Sequence, residues 1–238
     1  MSEQKVTDSV TPISTIIRER IQDAKGSFHA NDNISEFIEP GELDLLQLEL
    51  ERKMQGVLET MVIDTENDHN TNETAKRVAK MYLRELYAGR YVPKPRVTEF
   101  PNAKDLDEMY TVGPVDVKST CSHHLVPIYG KAWIGVIPGE KVIGLSKFNR
   151  ITSWIMGRPH IQEEAVQILA NEIEELIKPK GLAIVVKATH MCMTMRGVHA
   201  HENSSMVTTV VRGALKDSPS ARQEFFNTIS AQGFTYGN

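Results

Sequence analysis

Both cysteines of the chain stand beside histidines, although the two cysteines lie far apart in the sequence. Three of the eight histidines, His123, His124 and His190, fall within three residues of Cys121 or Cys192. Random placement would put only about 0.4 histidines in those windows. Thiolate and imidazole are the ligands that zinc prefers. The pattern therefore favours a fold that brings two distant segments to one metal ion.

A three-ligand site can be assembled from Cys121, His124 and Cys192. A Cys-x-x-His step at a strand end lets both side chains converge on one ion. Residues two apart on an extended segment share a face, so His190 and Cys192 are expected to point the same way. Catalytic zinc sites use three protein ligands and keep a fourth position for water. The alternative is that the cysteines are small buried hydrophobes and the histidines are hydrogen-bonded core residues.

Two histidines, His123 and His190, are then left beside the metal without being needed as ligands. Imidazole titrates near neutrality, so each is a candidate to move protons on and off a substrate. In the other interpretation, one of them is a fourth ligand and the site is closed to substrate.

A basic segment, residues 144–150, is a second candidate site. Ser146 is a suitable N-cap, and the free amides of a helix start attract anions. Lys147 and Arg150, three residues apart, add charge on nearly one face, so the segment is a candidate phosphate cradle. A solvated basic helix start would have the same sequence. Arg196 places another guanidinium beside the second cysteine, and guanidinium groups suit bidentate phosphate contacts.

An amide and a carboxylate, Gln162 and Glu163, open the predicted long helix. Together they are candidates to read a purine edge. Glu in a first helical turn is also favourable with the helix dipole, which leaves a purely structural interpretation open.

The composition is that of a globular protein, since 40% of the residues are hydrophobic and 24% are charged. No apolar run approaches the roughly 18 residues of a membrane span. A net charge of −4 argues against a nucleic-acid partner. The first residues lack the apolar segment of a signal peptide, and two cysteines are too few for a disulfide framework. We therefore expect a cytoplasmic chain with no membrane partner.

The periodicity of apolar residues separates an N-terminal extension, residues 1–41, from a domain spanning residues 42–238. The extension has one short amphipathic stretch, residues 13–21, and a Gly- and Asn-containing stretch that is typical of a mobile arm. Helices are predicted over residues 43–61, 74–89, 146–156, 161–177 and 220–229. Strands are predicted over residues 112–120, 125–137, 182–192 and 206–215. Helices and strands do not alternate strictly, which favours the α+β class.

Four separated segments closely resemble the signature segments of GTP cyclohydrolase I. They read STCSHHLVP from residue 119, GLSKFNRI from residue 144, QE from residue 162 and HMCMTMRG from residue 190. Their order and separations match as well, and the resemblance runs from about residue 43 to the C-terminus.

This resemblance implies a fold, a reaction and an assembly. Members of the family open the imidazole ring of GTP, release C8 as formate and produce 7,8-dihydroneopterin triphosphate, the entry to pterin and folate synthesis. They have the tunnelling fold, an antiparallel sheet with helices packed on one side that oligomerisation closes into a barrel. They are usually homodecamers with active sites between subunits.

The resemblance also implies roles for individual residues. Cys121, His124 and Cys192 match zinc ligands, and His190 matches the proton donor to N7 of the purine. His123 matches a second acid/base residue near the ribose. Positions that read guanine are matched by Gln162 and Glu163. Positions that contact triphosphate and ribose are matched by Ser146, Lys147, Arg150 and Arg196, with Arg77 and Lys80 as further candidates from a neighbouring chain.

The chain departs from the family pattern at two positions. Ser122 stands where the family commonly has Glu, and Ala75 stands where it commonly has Pro. Ser122 removes a negative charge beside the metal, which is expected to alter zinc affinity or the pKa of nearby histidines.

Two other functions are weighed against the GTP reaction. One is a different enzyme on the same fold, acting on a pterin or a deazaguanine precursor; the Ser-Lys-x-x-Arg element, which suits a triphosphate, argues against it. The other is a non-enzymatic zinc module, which needs a closed four-ligand site and a basic or aromatic surface. Aromatic residues are only 6% of the chain, which disfavours that function.

Overall fold

The protein is described by a computed structural model over residues 11–196, 198–201 and 204–235. Its main sheet, within those ranges, has five strands: β2 (Tyr110–Cys121), β3 (Pro127–Ile137), β5 (Pro159–His160), β6 (Gly181–His190) and β7 (Met206–Gly213). Their order in the sheet is β5-β2-β3-β6-β7, and all neighbours are antiparallel except the parallel pair β2–β5. A separate ribbon pairs β1 (Glu99–Pro101) with β4 (Lys141–Ile143).

The helices lie before, between and after the strands, which confirms the α+β class. The α-helices are α1 (Ile13–Asp23), α2 (Glu42–Thr60), α3 (Thr74–Lys80), α4 (Ala88–Tyr91), α5 (Leu145–Met156), α6 (Gln162–Ile177), α7 (Met191–Thr194), α8 (Ala214–Asp217) and α9 (Pro219–Ala231). A π-helical turn, Met81–Leu86, continues α3, and a short 3₁₀ turn, Ser35–Phe37, precedes α2. None of those helices is long and apolar enough to cross a membrane.

The two faces of the sheet bury different helices because side chains alternate along each strand. On one face, Ile134 and Ile184 belong to the core that contains Phe148 of α5 and Leu169 of α6. This face agrees with the expectation of helices on one side. The opposite face is partly covered as well, by α9 near the C-terminus, and that covering was not expected from the sequence.

Gly135 lets α9 approach that second face. A Cβ built on Gly135 would lie 2.5 Å from Cδ2 of Phe225, closer than real Cβ contacts. Phe225 is fully buried there and packs with Trp133 and Val185. The missing side chain of Gly135 thus makes room for the largest buried residue of the last helix.

Several predicted boundaries differ from the structure, and three of the differences are described here because they change a local turn or cap. β6 ends at His190 and the chain turns directly into α7, so Cys192 lies in a helical turn and not on the strand. The prediction that His190 and Cys192 share one face of a strand was therefore wrong. The strand predicted to residue 215 ends at Gly213, whose φ of 54° turns the chain into α8. Helix α5 begins at Leu145, so Gly144 and not Ser146 is its N-cap.

The N-terminal extension is packed against the rest of the chain over its described part. The amphipathic stretch forms α1, as predicted, and its Ile17 and Ile21 pack with Ile34 in a small apolar cluster. Residues 28–32, which lie between α1 and Ile34, are held by Arg90. The Arg90 side chain donates hydrogen bonds to four backbone carbonyls of this segment. Residues 1–10 lie outside the described ranges, and the division at residue 41 stays a prediction.

Candidate active site

A tight turn after β2 presents the first two candidate ligands. Cys121 is the last residue of the strand, and its backbone carbonyl accepts hydrogen bonds from the amides of His124 and Leu125. Leu125 adopts a positive φ of 53°, and the amide of Cys121 donates to the carbonyl of Val126. The chain therefore folds back at once into β3, and the Nδ1 atom of His124 lies 3.8 Å from the Sγ atom of Cys121.

The third candidate ligand comes from the turn after β6. Because α7 begins immediately after His190, the chain bends and carries the Cys192 thiol toward the end of β2. The ligand atoms of Cys121, His124 and Cys192 all lie within 4.8 Å of one another. Two thiols and one imidazole at this spacing fit a zinc ion, whose bonds to sulfur and nitrogen are about 2.0–2.3 Å long. The structure thus brings together the three residues that the sequence predicted as ligands.

Burial and a neighbouring thiol both affect the Cys192 thiol. Desolvation raises the pKa of the Cys192 thiol, and the neighbouring Cys121 thiol raises it further, while the charge of Arg196 acts in the opposite direction. Arg196 also lies 2.8 Å, through its Nη1 atom, from Nε2 of His124. A guanidinium can only donate, so this ring nitrogen is the acceptor.

His190 stands beside the candidate ligands and contacts Gln162. Its Nε2 atom lies 2.8 Å from the amide oxygen Oε1 of Gln162, the first residue of α6. Burial lowers the pKa of His190, and the carboxylate of Glu163 acts against that shift. The ring is therefore held in one place, at the point where β6 ends.

His123 also lies close to the candidate ligands and is exposed. Its Nδ1 atom is 3.8 Å from the sulfur of Cys121, and its ring meets the ring of His124 edge-on, with centroids 6.2 Å apart. The structure thus places both non-ligand histidines next to the thiol–imidazole group, one partly buried and one open to solvent. Their roles in proton transfer stay predictions.

A cavity of about 920 Å³ is lined by Ser122, the residue that follows Cys121, but by none of the three candidate ligands and by neither His123 nor His190. One wall contains Ser122, Glu163 and Thr208, which come from the turn after β2, the start of α6 and β7. Another part of the wall is made by residues 29–32 of the N-terminal extension. The buried side chain of Arg158 fixes that wall by donating to the carbonyl of Asn31. The sequence analysis named Ser122 and Glu163, but it missed residues 29–32 and Thr208, because neither the extension nor Thr208 carries a recognisable pattern.

The predicted phosphate-binding residues lie on different elements. Ser146, Lys147 and Arg150 belong to α5, and Arg77 and Lys80 belong to α3. Lys147 donates to the carbonyl of Arg96, and Arg77 forms an ion pair with Glu73 at 3.0 Å. Arg196 is the basic residue that the structure brings into contact with a candidate ligand. Contacts of all these residues with a phosphate stay predictions.

His160 is a buried histidine that the sequence analysis did not single out. It lies on β5 opposite Cys121, and its Nε2 atom is 2.5 Å from the carbonyl oxygen of Ile155. Desolvation lowers its pKa to about 4, so the ring is neutral near pH 7. Its neighbours in the sequence give no signal, because a lone histidine before an apolar residue is compatible with many environments.

These features define a class of protein: an α+β domain in which two cysteines and a histidine from separate strand ends form a candidate metal site. The sequence profile of GTP cyclohydrolase I matches residues 50–230, and the chain belongs to that family. The matched range includes both cysteines, the adjacent histidines and the basic start of α5.

Individual relatives agree with the profile. GTP cyclohydrolase 1 of Aliivibrio salmonicida is 39% identical over 181 residues, which are 76% of this chain and 82% of the relative. The enzyme of the same name from Edwardsiella ictaluri is 38% identical over 192 residues, covering 80% and 86%. The one from Aeromonas hydrophila is 40% identical over 177 residues, covering 74% and 80%.

A comparison of folds gives a weaker likeness. The solved structure of the archaeosine synthase QueF-Like in the apo form is 13% identical, and the alignment covers 51% of this chain and 98% of that one. Its TM-score of 0.34 is too low to support an argument about this chain.

Proposed function

We propose that the chain is a zinc-dependent GTP cyclohydrolase. It opens the imidazole ring of GTP, releases formate and forms 7,8-dihydroneopterin triphosphate, the first step of pterin and tetrahydrofolate synthesis. The observation that carries the proposal is the convergence of Cys121, His124 and Cys192 within 4.8 Å, in a chain that belongs to this family. The relatives named above are described as enzymes of this activity.

The chemistry of the donor set supports zinc as the metal. Two thiols and one imidazole are soft and borderline ligands, which suit zinc better than magnesium or calcium. Bound there, zinc would supply a Lewis acid that lowers the pKa of a coordinated water toward neutrality. Three protein ligands are the number found in catalytic zinc sites, whereas structural sites have four.

The two remaining histidines supply the proton transfers of the proposed reaction. Water adds at C8 while His190 donates a proton to N7, and the bond between C8 and a ring nitrogen breaks to give a formamide. A second hydrolysis releases formate, and the ribose carbons then close the pterin ring with loss of water. His123, which is exposed on the ribose side in this proposal, exchanges protons during the rearrangement.

Binding of GTP is assigned to two groups of residues. Glu163 faces the cavity and, as a carboxylate, can accept hydrogen bonds from the N1–H and amino group of guanine. The triphosphate, which carries several negative charges, is assigned to the basic side chains. These are Lys147, Arg150 and Arg196, with Ser146 beside them and Arg77 and Lys80 from a neighbouring chain.

Unpaired edges of the main sheet support the assembly of several copies of the chain. Within the described residues, β2 pairs on its outer side with β5 only at Thr120 and Cys121, and β7 pairs only with β6. Unpaired strand edges are templates for pairing with another chain. We therefore propose that copies join edge to edge into a barrel, as part of a homodecamer with active sites between subunits.

We place the reaction in the cytoplasm. Cys121 and Cys192 are free thiols, and both must stay reduced to bind a metal. A reducing compartment preserves thiols, whereas oxidising compartments favour disulfides.

Replacement of one ligand tests this proposal. Cys192→Ser should lose bound zinc and formate release together, because serine is a poor zinc ligand. Met193→Leu changes an exposed neighbouring residue and should keep both. Zinc is measured by mass spectrometry, formate by a coupled assay and the product by the fluorescence of its oxidised pterin. A Cys192→Ser protein that is free of metal and still releases formate at the wild-type rate would refute the proposal.

The product also separates this reaction from others on the same fold. An enzyme acting on a pterin or a deazaguanine precursor would leave GTP unchanged and give no fluorescent pterin from it.

A further inference from the structure

The side chain of Gln162 is surrounded by protein groups. Its residue is only 4% exposed. Its amide nitrogen Nε2 lies 3.3 Å from the carbonyl oxygens of Val186 and Met206 and 3.0 Å from the hydroxyl oxygen of Thr208. Its amide oxygen Oε1 lies 2.8 Å from Nε2 of His190. One buried amide thus links α6 to β6, to β7 and to the candidate acid.

These partners fix which way the amide points. The oxygen and nitrogen of a glutamine side chain are assigned from the surrounding hydrogen bonds. The two backbone carbonyls can only accept, so the amide –NH₂ must face Val186 and Met206. The reverse orientation would set the oxygen of Gln162 against two carbonyl oxygens in a buried place, which is costly. The oxygen of Gln162 must therefore face His190.

The same logic fixes the proton on His190. An amide oxygen has no hydrogen to donate, so Nε2 of His190 must be the donor in this contact. A neutral imidazole carries its proton on one nitrogen only. With that proton on Nε2, the lone pair is on Nδ1. In the proposed reaction, Nδ1 therefore first takes up a second proton, and it is this proton that His190 passes on to N7 of the purine.

We propose that Gln162 is a positioning residue that holds His190 in its Nε2–H tautomer and leaves Nδ1 as the nitrogen that meets the substrate. This inference deepens the proposed function and rests on it for its catalytic consequence. It also gives Gln162 a role different from reading guanine, because both hydrogens of its amide already have protein acceptors. Glu163, which lines the cavity, is left as the residue that reads the base.

Burial and attachment make the arrangement rigid. The amide of Gln162 is enclosed, so its side of the hydrogen bond to the partly buried His190 is shielded from water. The carbonyls of Val186 and Met206 belong to paired strands, so the amide is anchored to the sheet on one side and orients the ring on the other. A catalytic histidine transfers protons more efficiently when it is held in one tautomer and one orientation. A hydrogen bond from a fixed partner to the other ring nitrogen holds it in this way.

The tautomer is tested directly by nuclear magnetic resonance on the full-length protein. In a solid-state sample with labelled histidine, the shifts of the two ring nitrogens distinguish the Nε2–H from the Nδ1–H form at any assembly size. The His190 signals are assigned by their loss in a His190→Gln sample. We expect the Nε2–H form in the wild type and loss of that preference in Gln162→Met. An Nδ1–H form in the wild type would overturn the proposal.

Steady-state kinetics give the second test. Gln162→Met keeps the length of the side chain and removes its hydrogen bonds, while Gln223→Met makes the same change on the exposed side of α9 as a control. Proton transfer by a positioned side chain contributes typically about 10²–10⁴-fold to rate, so we expect kcat to fall on the order of a hundredfold in Gln162→Met. The KM for GTP and the zinc content should stay close to the wild-type values.

A raised KM with an unchanged kcat would mean that Gln162 binds the base, and would overturn the proposal. The nuclear magnetic resonance result decides the proposal even in a preparation that does not turn over GTP, so this inference and the proposed function can fail separately.

Discussion

The packing of α9 over the sheet predicts that Gly135→Ala destabilises the protein. The new Cβ would lie 2.5 Å from Cδ2 and 2.7 Å from Cε2 of Phe225, about 1 Å inside ordinary contact. Phe225 is fully buried and cannot swing into solvent. Either the ring or strand β3 must therefore move. Overpacking of this kind typically costs about 1–3 kcal/mol of unfolding free energy.

That cost converts to a measurable change in melting temperature. For a domain of 150–250 residues, 1 kcal/mol corresponds to a shift of about 2–4 °C. We therefore expect Gly135→Ala to melt about 2–12 °C below the wild type by differential scanning calorimetry. The comparison is made at one protein concentration, because assembly makes the melting temperature depend on concentration.

Gly56→Ala is the matched control with the opposite expected sign. Gly56 lies inside α2, and a Cβ there meets nothing within 4 Å. Alanine is favoured over glycine in a helix interior by about 0.5–1 kcal/mol, so this variant should melt about 1–4 °C higher than the wild type. An unchanged or raised melting temperature in Gly135→Ala would refute the packing of Phe225 against this strand. Partial recovery on adding Phe225→Leu would support it.

Two further predictions concern buried polar groups. Arg158 donates hydrogen bonds to the carbonyls of Gly89 and Asn31. Arg158→Ala should therefore speed amide hydrogen exchange in residues 29–33, which mass spectrometry can measure. Unchanged exchange there would contradict the anchoring of the extension by Arg158. Burial lowers the pKa of His160 to about 4, below its ordinary 6.5, so the unfolded chain takes up a proton first as the pH falls. The unfolding free energy should then drop from pH 6.5 toward pH 4, by up to about 1.4 kcal/mol per pH unit for this one group. In urea titrations, His160→Gln should flatten that dependence and the exposed-site variant His69→Gln should not.

The candidate metal ligands could be predicted from the sequence because their residue types are themselves informative. Cysteine and histidine are scarce, so their clustering at Cys121 and Cys192 stands out in a single sequence, and the structure brings both clusters together. The long helices were also predictable, since a periodic apolar stripe such as that of α6 needs no tertiary information.

Local geometry was harder to predict because it depends on tertiary contacts. The bend that places Cys192 in α7 and not on β6 has no marker in the sequence, since His190 to Met193 would also suit a strand. Gly144 serves as the N-cap of α5 although Ser146 is the better capping residue. The contacts of Gln162 come from two strands, β6 and β7, that lie far from residue 162 in the sequence. The local pattern could therefore only suggest that Gln162 reads a purine edge or simply opens a helix.

The N-terminal extension shows the same limit. Its polar, glycine-containing sequence is typical of a mobile arm, yet Arg90 and Arg158 hold its backbone carbonyls along the cavity wall. Every residue has a backbone carbonyl, so hydrogen bonds to backbone carbonyls cannot be predicted from the types of the residues that accept them.

The most direct test of the account is turnover of GTP by the purified full-length protein at known zinc content. Formate and 7,8-dihydroneopterin triphosphate should appear in equal amounts, at a rate proportional to bound zinc. A chelator should abolish both products, and added zinc should restore them. A zinc-loaded protein that leaves GTP intact, or full product formation by protein stripped of metal, would contradict the account.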